Sequence, residues 1–145
     1  MKKVFVADFE TSTESWLARD NGWARVWLWD VCDVETLNHI TGTSIHEFMR
    51  YVAKKTLGEG KKVYFHNLRY DGAYILSWLE EFSFKWKQDG RELRKKEYST
   101  LISGEGQFYS IKVCFGEHGK TKNLVEFWDL SLIHISEPTR RVVIS

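Results

Sequence analysis

The sequence is poor in the residues that mark secreted, membrane-spanning and low-complexity proteins. Its 145 residues include one proline and two cysteines, Cys32 and Cys114. Two cysteines without metal-type spacing exclude a disulfide framework and indicate reduced thiols in a cytoplasmic protein. No apolar run is long enough to cross a bilayer, and carboxylates interrupt the first apolar stretch. We therefore expect neither a membrane span nor a signal peptide.

An excess of charge of one sign is also missing. The chain has 21 Lys and Arg against 20 Asp and Glu, a formal net charge of +1. This balance excludes a global basic field, so any contact with nucleic acid must come from a local patch. Hydrophobic residues make up 43% and charged residues 28%, which is typical of a folded chain. The length suits one domain, which we expect to be monomeric.

Strand and helix patterns are interspersed along the chain. Stretches typical of strands lie at residues 4–9, 24–34, 61–67, 99–115 (a hairpin around Gly104 and Gly106) and 122–129. A polar loop at residues 13–22 separates the first two. The capping box of Ser44 and Glu47 predicts a helix that ends at Gly58. Together these patterns predict an α/β fold with a mixed sheet.

A second predicted helix begins at Asp71. Leu76, Leu79 and Phe82 recur at helical spacing and are predicted to share its buried face. Four tryptophans lie within apolar segments and are predicted to belong to the core: Trp27, Trp29, Trp78 and Trp128. The stretch from Lys85 to Lys96 is basic, and two interpretations stay open for it. It is either a surface that contacts a nucleic-acid backbone or an ordinary solvated loop.

Three carboxylates are candidates for a catalytic metal site. Asp8 and Glu10 are two residues apart on the first predicted strand, so both project from one face. Asp71 follows another strand at the start of a helix, and strand ends and helix starts meet at one rim of an α/β sheet. Three such acids can hold two hard cations for phosphodiester hydrolysis. Alternatively, the pair reflects surface alternation and Asp71 is a helix N-cap; spacing alone leaves both open.

Two motifs carry a family resemblance. "DFET" (8–11) resembles the first exonuclease motif of proofreading domains, and "YFHNLRYDGAYILSWL" (64–79) closely resembles the second motif of protein-primed family B DNA polymerases. "YSTLIS" (98–103) also follows that group's pattern before a hairpin. The likeness covers residues 3–129. It identifies them as an N-terminal 3′→5′ exonuclease domain of enzymes from phages and mobile elements that start synthesis on a terminal protein.

The resemblance implies a ribonuclease H-like fold, a mixed sheet flanked by helices, and specific residue roles. Asp8, Glu10 and Asp71 match the catalytic acids that bind Mg²⁺ or Mn²⁺, two ions in the intact parent. The frayed 3′ end of single-stranded DNA is implied to contact Thr11, Asn67 and Tyr70. His66 and Tyr74 match further contacts to that strand or to the terminal protein, although His66 can also be a simple turn residue.

The sequence departs from the family after residue 129. No Y-x-x-x-D motif, which supplies the family's fourth acid, follows Asp71, and Asp129 does not fit that pattern. "LSLIHISEPTR" (130–140) resembles a translated sequencing adapter, so we interpret residues 130–145 as an artefact and not a domain; the alternative is a natural C-terminal strand. Residues 1–129 are then a partial exonuclease domain, incomplete at the C-terminus.

This interpretation makes the parent a DNA-directed DNA polymerase that acts in DNA replication, a nucleotidyltransferase with hydrolase activity. The fragment itself is expected to be inactive or nearly so, because it lacks a catalytic acid. One rival is a free-standing ribonuclease H-like exonuclease. A second is a non-catalytic nucleic-acid-binding module, whose ligand binding would not depend on Asp8.

Overall fold

One mixed sheet organises the chain. A computed structural model describes residues 3–12, 25–54, 60–102 and 108–130. Its strands are β1 (Val4–Thr11), β2 (Val26–Asp33), β3 (His39–Gly42), β4 (Lys61–Phe65), β5 (Lys85–Trp86), β6 (Glu97–Ile102), β7 (Phe108–His118) and β8 (Thr121–Asp129). The helices within these ranges are α1 (Ile45–Val52) and α2 (Leu68–Glu81). Neither is long and apolar enough to cross a membrane.

The three central strands run parallel. The strand order is β3-β2-β1-β4-β8-β7-β6-β5. β4 pairs in parallel with both β1 and β8, and β5 pairs in parallel with β6, whereas the remaining pairs are antiparallel. This arrangement confirms the predicted α/β class with a mixed sheet flanked by helices. The predicted hairpin is also confirmed, because β6 and β7 are antiparallel neighbours.

Aromatic packing joins the central strands to the helices. Phe9 of β1 contacts Phe48 of α1 and Phe65 of β4, with ring centroids 4.8 Å apart in both pairs and rings nearly perpendicular. Edge-to-face packing of this kind adds about 0.5–1.5 kcal/mol per pair to the burial of apolar area. These contacts fix the end of β1 relative to the end of β4, which is where the candidate acids lie.

The capping box of α1 is present, but the helix is shorter than predicted. Ser44 Oγ accepts a hydrogen bond from Glu47 N at 3.2 Å. The helix ends at Val52, and the buried Lys61 Nζ donates to Val52 O at 2.7 Å. A lysine on β4 thus satisfies the carbonyl of the last helical residue, whereas the predicted end of the helix, Gly58, lies outside the described residues.

Helix α2 begins three residues before the predicted start. Its N-cap is Asn67, so Asp71 lies inside the first turn instead of capping it. The predicted face was partly wrong: Leu79 is buried, but Leu76 is only half-buried and Phe82 is exposed at the C-cap. The helix packs on the sheet with Leu68, Asp71, Gly72, Ile75, Trp78 and Leu79.

Gly72 allows α2 to approach the sheet closely. A Cβ at this position would lie 2.9 Å from Cδ2 of Phe108 on β7. Such a contact is shorter than packed carbon atoms tolerate, so any larger residue at this position requires Phe108 or the helix to shift. The contact sets the distance between the first turn of α2 and the sheet. It thereby also sets the position of Asp71 relative to the sheet.

The remaining differences concern β2 and two short strands. β3 and β5 were not predicted. Trp29 is buried, but Trp27 is half-exposed and Trp128 half-buried, so the core prediction was wrong for Trp27. The cause is a bulge: Thr11 pairs with Val26 and Glu10 with Leu28, which leaves Trp27 as the extra residue. The predicted loop at 13–22, the turn glycines Gly104 and Gly106, and residues 131–145 lie outside the described residues.

Candidate active site

The candidate site lies at one rim of the sheet. β1, β4 and β8 are parallel and end there at Thr11, Phe65 and Asp129, and α2 begins beside them at Leu68. Strand ends and a helix start therefore meet at this rim, as expected for sites on open α/β sheets. Side chains from three separated segments converge there.

Asp8 and Glu10 project from the solvent side of β1. Both are exposed and alternate with the buried Ala7 and Phe9. The last pair that joins β1 to β4 is Ala7 with Phe65, so β1 continues past the end of β4. The edge of β1 beyond Ala7 is consequently open to groups from the start of α2.

Asp71 meets this open edge from the first turn of α2. The residue is 6% exposed, and its carboxylate accepts a hydrogen bond from the backbone N–H of Phe9. The pKa of Asp71 is raised to about 7, mainly by burial and also by the negative charges of Asp8, Glu10 and Asp129, against the lowering effect of the Phe9 hydrogen bond. The carboxylates of β1 and α2 are therefore within electrostatic reach of one another.

Asp129 is a fourth acid at the rim that sequence reasoning did not assign to the site. It ends β8, pairs in register with Phe65 and is wholly buried. Its Oδ2 accepts a hydrogen bond from Arg69 N at 3.1 Å and thereby caps the start of α2. Its position at the end of a strand could indicate a site residue. That position places Asp129 at the rim only once β8 is known to lie beside β4.

Asp30 adds a further carboxylate next to Asp8. The two residues are directly opposed on β2 and β1. Like charges in this position repel, but Asp30 also contacts His39, whose Nδ1 lies 2.9 Å from Asp30 Oδ2. Sequence reasoning missed this pair because β3, which carries His39, was not predicted.

The predicted DNA-contacting residues lie around Asp71. His66 and Asn67 form the exposed turn between β4 and α2, and Asn67 makes no side-chain capping hydrogen bond. Tyr70 is 61% exposed, and Tyr74 lies one helical turn further on and is half-buried against the core. Residues four apart share a helix face, so the two tyrosines form one surface. Thr11, half-buried, lies at the end of β1.

The donor atoms suit a hard cation, although their arrangement is incomplete. Asp8, Glu10 and Asp71 offer only carboxylate oxygens, the ligands that Mg²⁺ and Mn²⁺ prefer. A cation would also relieve the mutual repulsion that helps raise the pKa of Asp71. Within the described ranges, however, no three His, Cys, Asp or Glu side chains form a group that could hold a metal ion as placed. The three acids therefore suit a hard cation in their ligand type and charge, but their side chains as placed do not form a metal site.

Two of the six basic side chains in the stretch from Lys85 to Lys96 form ion pairs. Lys87 Nζ lies 3.4 Å from Glu97 Oε2, and Arg94 Nε lies 2.9 Å from Glu117 Oε1. Trp86 is exposed, and its Nε1 donates to Thr100 Oγ1 at 3.2 Å. These two pairs leave both interpretations of the stretch open, a solvated surface and a contact with phosphates.

Comparisons with known proteins identify relatives of this chain. No family model matches the chain. DNA polymerases of Bacillus phages Nf and phi29 are each 37% identical to it over 142 residues, which is 97% of this chain and 22% of each relative. The chain thus spans about a fifth of the length of the curated relatives it matches.

Solved structures give the same result. Phi29 DNA polymerase complexed with single-stranded DNA matches with a TM-score of 0.73 and 35% identity, over 89% of this chain and 21% of that one. The ternary complex with primer-template DNA and incoming nucleotide substrates matches with a TM-score of 0.72. The sheet and helices described above therefore correspond to the N-terminal region of that enzyme. Over 97% of its length, the chain is homologous to phage DNA polymerases of the phi29 type.

Proposed function

We propose that the chain is part of the 3′→5′ exonuclease domain of a protein-primed family B DNA polymerase, the domain that removes mismatched 3′ nucleotides in the intact parent. The observation that carries this proposal is the buried carboxyl of Asp71 beside Asp8 and Glu10 at the rim where three parallel strands end. A buried acid whose pKa is raised by burial and by nearby carboxylates is costly for folding and is typical of functional sites.

In this proposal the acids act as a unit. Asp8, Glu10 and Asp71 hold Mg²⁺ or Mn²⁺, two ions in the intact parent, and such ions supply Lewis acidity toward water and phosphate oxygens when bound. Asp71 is held by the N–H of Phe9 and by its place in α2, so it enters the site preoriented. Asp8 and Glu10 face solvent and are open to the substrate phosphate.

In this proposal the loop between β4 and α2, together with the first two turns of α2, holds the DNA end. The exposed ring of Tyr70 can stack with a base, an interaction worth about 1–3 kcal/mol. The amide of Asn67 is not used for capping and can hydrogen-bond a sugar or phosphate. Thr11, His66 and Tyr74 complete the proposed contacts. The structural match to a polymerase complexed with single-stranded DNA supports this choice of ligand.

For the longer protein the proposal extends further. The parent is a DNA-directed DNA polymerase that replicates DNA from a terminal protein primer, as a monomer in the cytoplasm of a phage-infected host. The homologous phage DNA polymerases, more than four times as long as this chain, support that extension.

The metal is the first point to test. Electron paramagnetic resonance titration of Mn²⁺ should show binding by the unsubstituted chain, and the double variant Asp8→Asn with Glu10→Gln should lose it, because neutral amides are poor ligands for hard cations. Asp89→Asn, which changes an exposed acid of the loop between β5 and β6, is the matched control and should bind normally. Equal binding by all three proteins would contradict the proposal.

Cleavage is the second point. Because no Y-x-x-x-D acid follows Asp71 in this sequence, we expect the chain to shorten a 5′-labelled oligonucleotide from its 3′ end several orders of magnitude more slowly than an intact domain. A gel assay over hours in Mn²⁺ measures this. Shortening that persists unchanged in the double variant would assign the activity to a contaminant.

A further inference from the structure

Arg69, to which neither motif gives a role, lies between the turn and the proposed aromatic surface. It is the second residue of α2 and adjoins Tyr70. Its backbone N–H donates to Asp129 Oδ2 at 3.1 Å, and its Nε lies 3.8 Å from the same oxygen. Asp129 is wholly buried, whereas the side chain of Arg69 is 39% exposed. The base of this side chain is therefore fixed, and its outer end reaches solvent.

The guanidinium group lies over an aromatic ring. Its Cζ is 5.7 Å from the centroid of the Tyr70 ring, within cation–π range. The Nε atom is buried and makes no hydrogen bond in the described part of the chain. Arg69 thus covers one side of the Tyr70 ring, and its planar fork is held at the edge of the proposed DNA site.

The charge of Arg69 is unusual for this rim. Asp8, Glu10, Asp71 and Asp129 make the rim strongly acidic, and a polyanion that approaches it is repelled unless cations offset that field. A fixed guanidinium matches the geometry of phosphate oxygens and can donate two parallel hydrogen bonds to them. Arg69 lies next to the Tyr70 ring. When a base stacks on that ring, Arg69 can therefore bind a phosphate of the same DNA strand.

We propose that Arg69 binds a backbone phosphate of the single strand that stacks on Tyr70. This inference rests on the proposed DNA site and adds a contact to it. Asp129 acts through Arg69 as a positioning residue, since it anchors the side chain from the end of β8.

The test measures binding of a fluorescein-labelled oligothymidylate by anisotropy, in a chelator and at several salt concentrations. Arg69→Ala should weaken binding about tenfold at 0.1 M salt, as expected for one lost hydrogen bond to a charged group. It should also reduce the slope of log K against log salt by about 0.7, the value for one phosphate contact on a single strand. Arg69→Lys should keep the slope but recover only part of the affinity, because it retains the charge without the planar fork.

The substitution keeps the backbone N–H of residue 69 that caps onto Asp129. Arg50→Ala is the matched control: Arg50 is exposed in the last turn of α1 and should leave affinity and slope unchanged. Thermal melting by circular dichroism verifies folding of each variant. Absence of binding by the unsubstituted chain overturns the proposed DNA site itself. Normal binding with a salt slope that Arg69→Ala does not change overturns only the role of Arg69.

Discussion

Replacing Asp71 with asparagine should stabilise the chain above neutral pH when divalent metal is absent. The folded state holds the pKa of Asp71 at about 7, against 3.8 for an ordinary aspartate carboxyl, with burial as the main cause. Between these pH values the unfolded chain has released the proton and the folded chain retains it. The free energy of unfolding therefore falls as pH rises through this range, and the loss is complete above pH 7.

The magnitude follows from the two pKa values. Their difference, at roughly 1.4 kcal/mol per pH unit, corresponds to about 4 kcal/mol as an upper limit. Asparagine removes the ionisable group but keeps an oxygen that can accept the hydrogen bond from the N–H of Phe9. We therefore expect Asp71→Asn to regain most of this free energy at pH 8 and to equal the unsubstituted chain near pH 4.

Urea unfolding followed by tryptophan fluorescence in EDTA measures the effect. With an m-value of about 2 kcal/mol/M for a chain of this size, the unfolding midpoint of the variant at pH 8 should rise by up to about 2 M. Glu35→Gln, which changes an exposed carboxyl after β2, should leave the midpoint unchanged at both pH values. A variant that is less stable than the unsubstituted chain at pH 8 would refute the reasoning about buried charge.

Two further predictions concern the scaffold. Burial lowers the pKa of Lys61 from 10.5 to about 8, so between these values only the unfolded chain holds the proton, and the free energy of unfolding should rise by about 3 kcal/mol from pH 8 to 10.5. Lys61→Met should lose this increase in urea titrations, and an identical pH dependence in both proteins would argue against a buried cation. Gly72→Ala should destabilise by about 1–3 kcal/mol through its clash with Phe108. The added Phe108→Leu substitution should relieve part of that cost in thermal melts, whereas strictly additive costs would contradict the contact.

The sequence predicts the elements near the site better than the packing that joins them. β1 and β4 follow from short runs of β-branched and aromatic residues, and the capping box locates the start of α1. The place of Asp8, Glu10 and Asp71 at one rim could be predicted because strand ends and helix starts obey a general topological rule. These features depend on local periodicity and on that rule alone.

What could not be predicted depends on contacts between distant segments. The end of α1 is set by Lys61 and the start of α2 by Asp129, residues that are far from those ends in the sequence. The exposure of Trp27 results from a bulge opposite Thr11, which alternation alone does not reveal. The role of Asp129 was missed for the same reason, because its neighbour β4 lies some sixty residues earlier.

The position of β8 has a consequence for biosynthesis. This strand is the last of the eight described strands along the chain, yet it lies in the middle of the sheet between β4 and β7. As the polypeptide leaves the ribosome, the edges of β4 and β7 stay unpaired until residues 121–129 emerge, and both edges are rich in buried apolar side chains. Nascent chains that stall before this point expose two partial sheets with unpaired edges. Intermediates of this kind aggregate unless chaperones bind them.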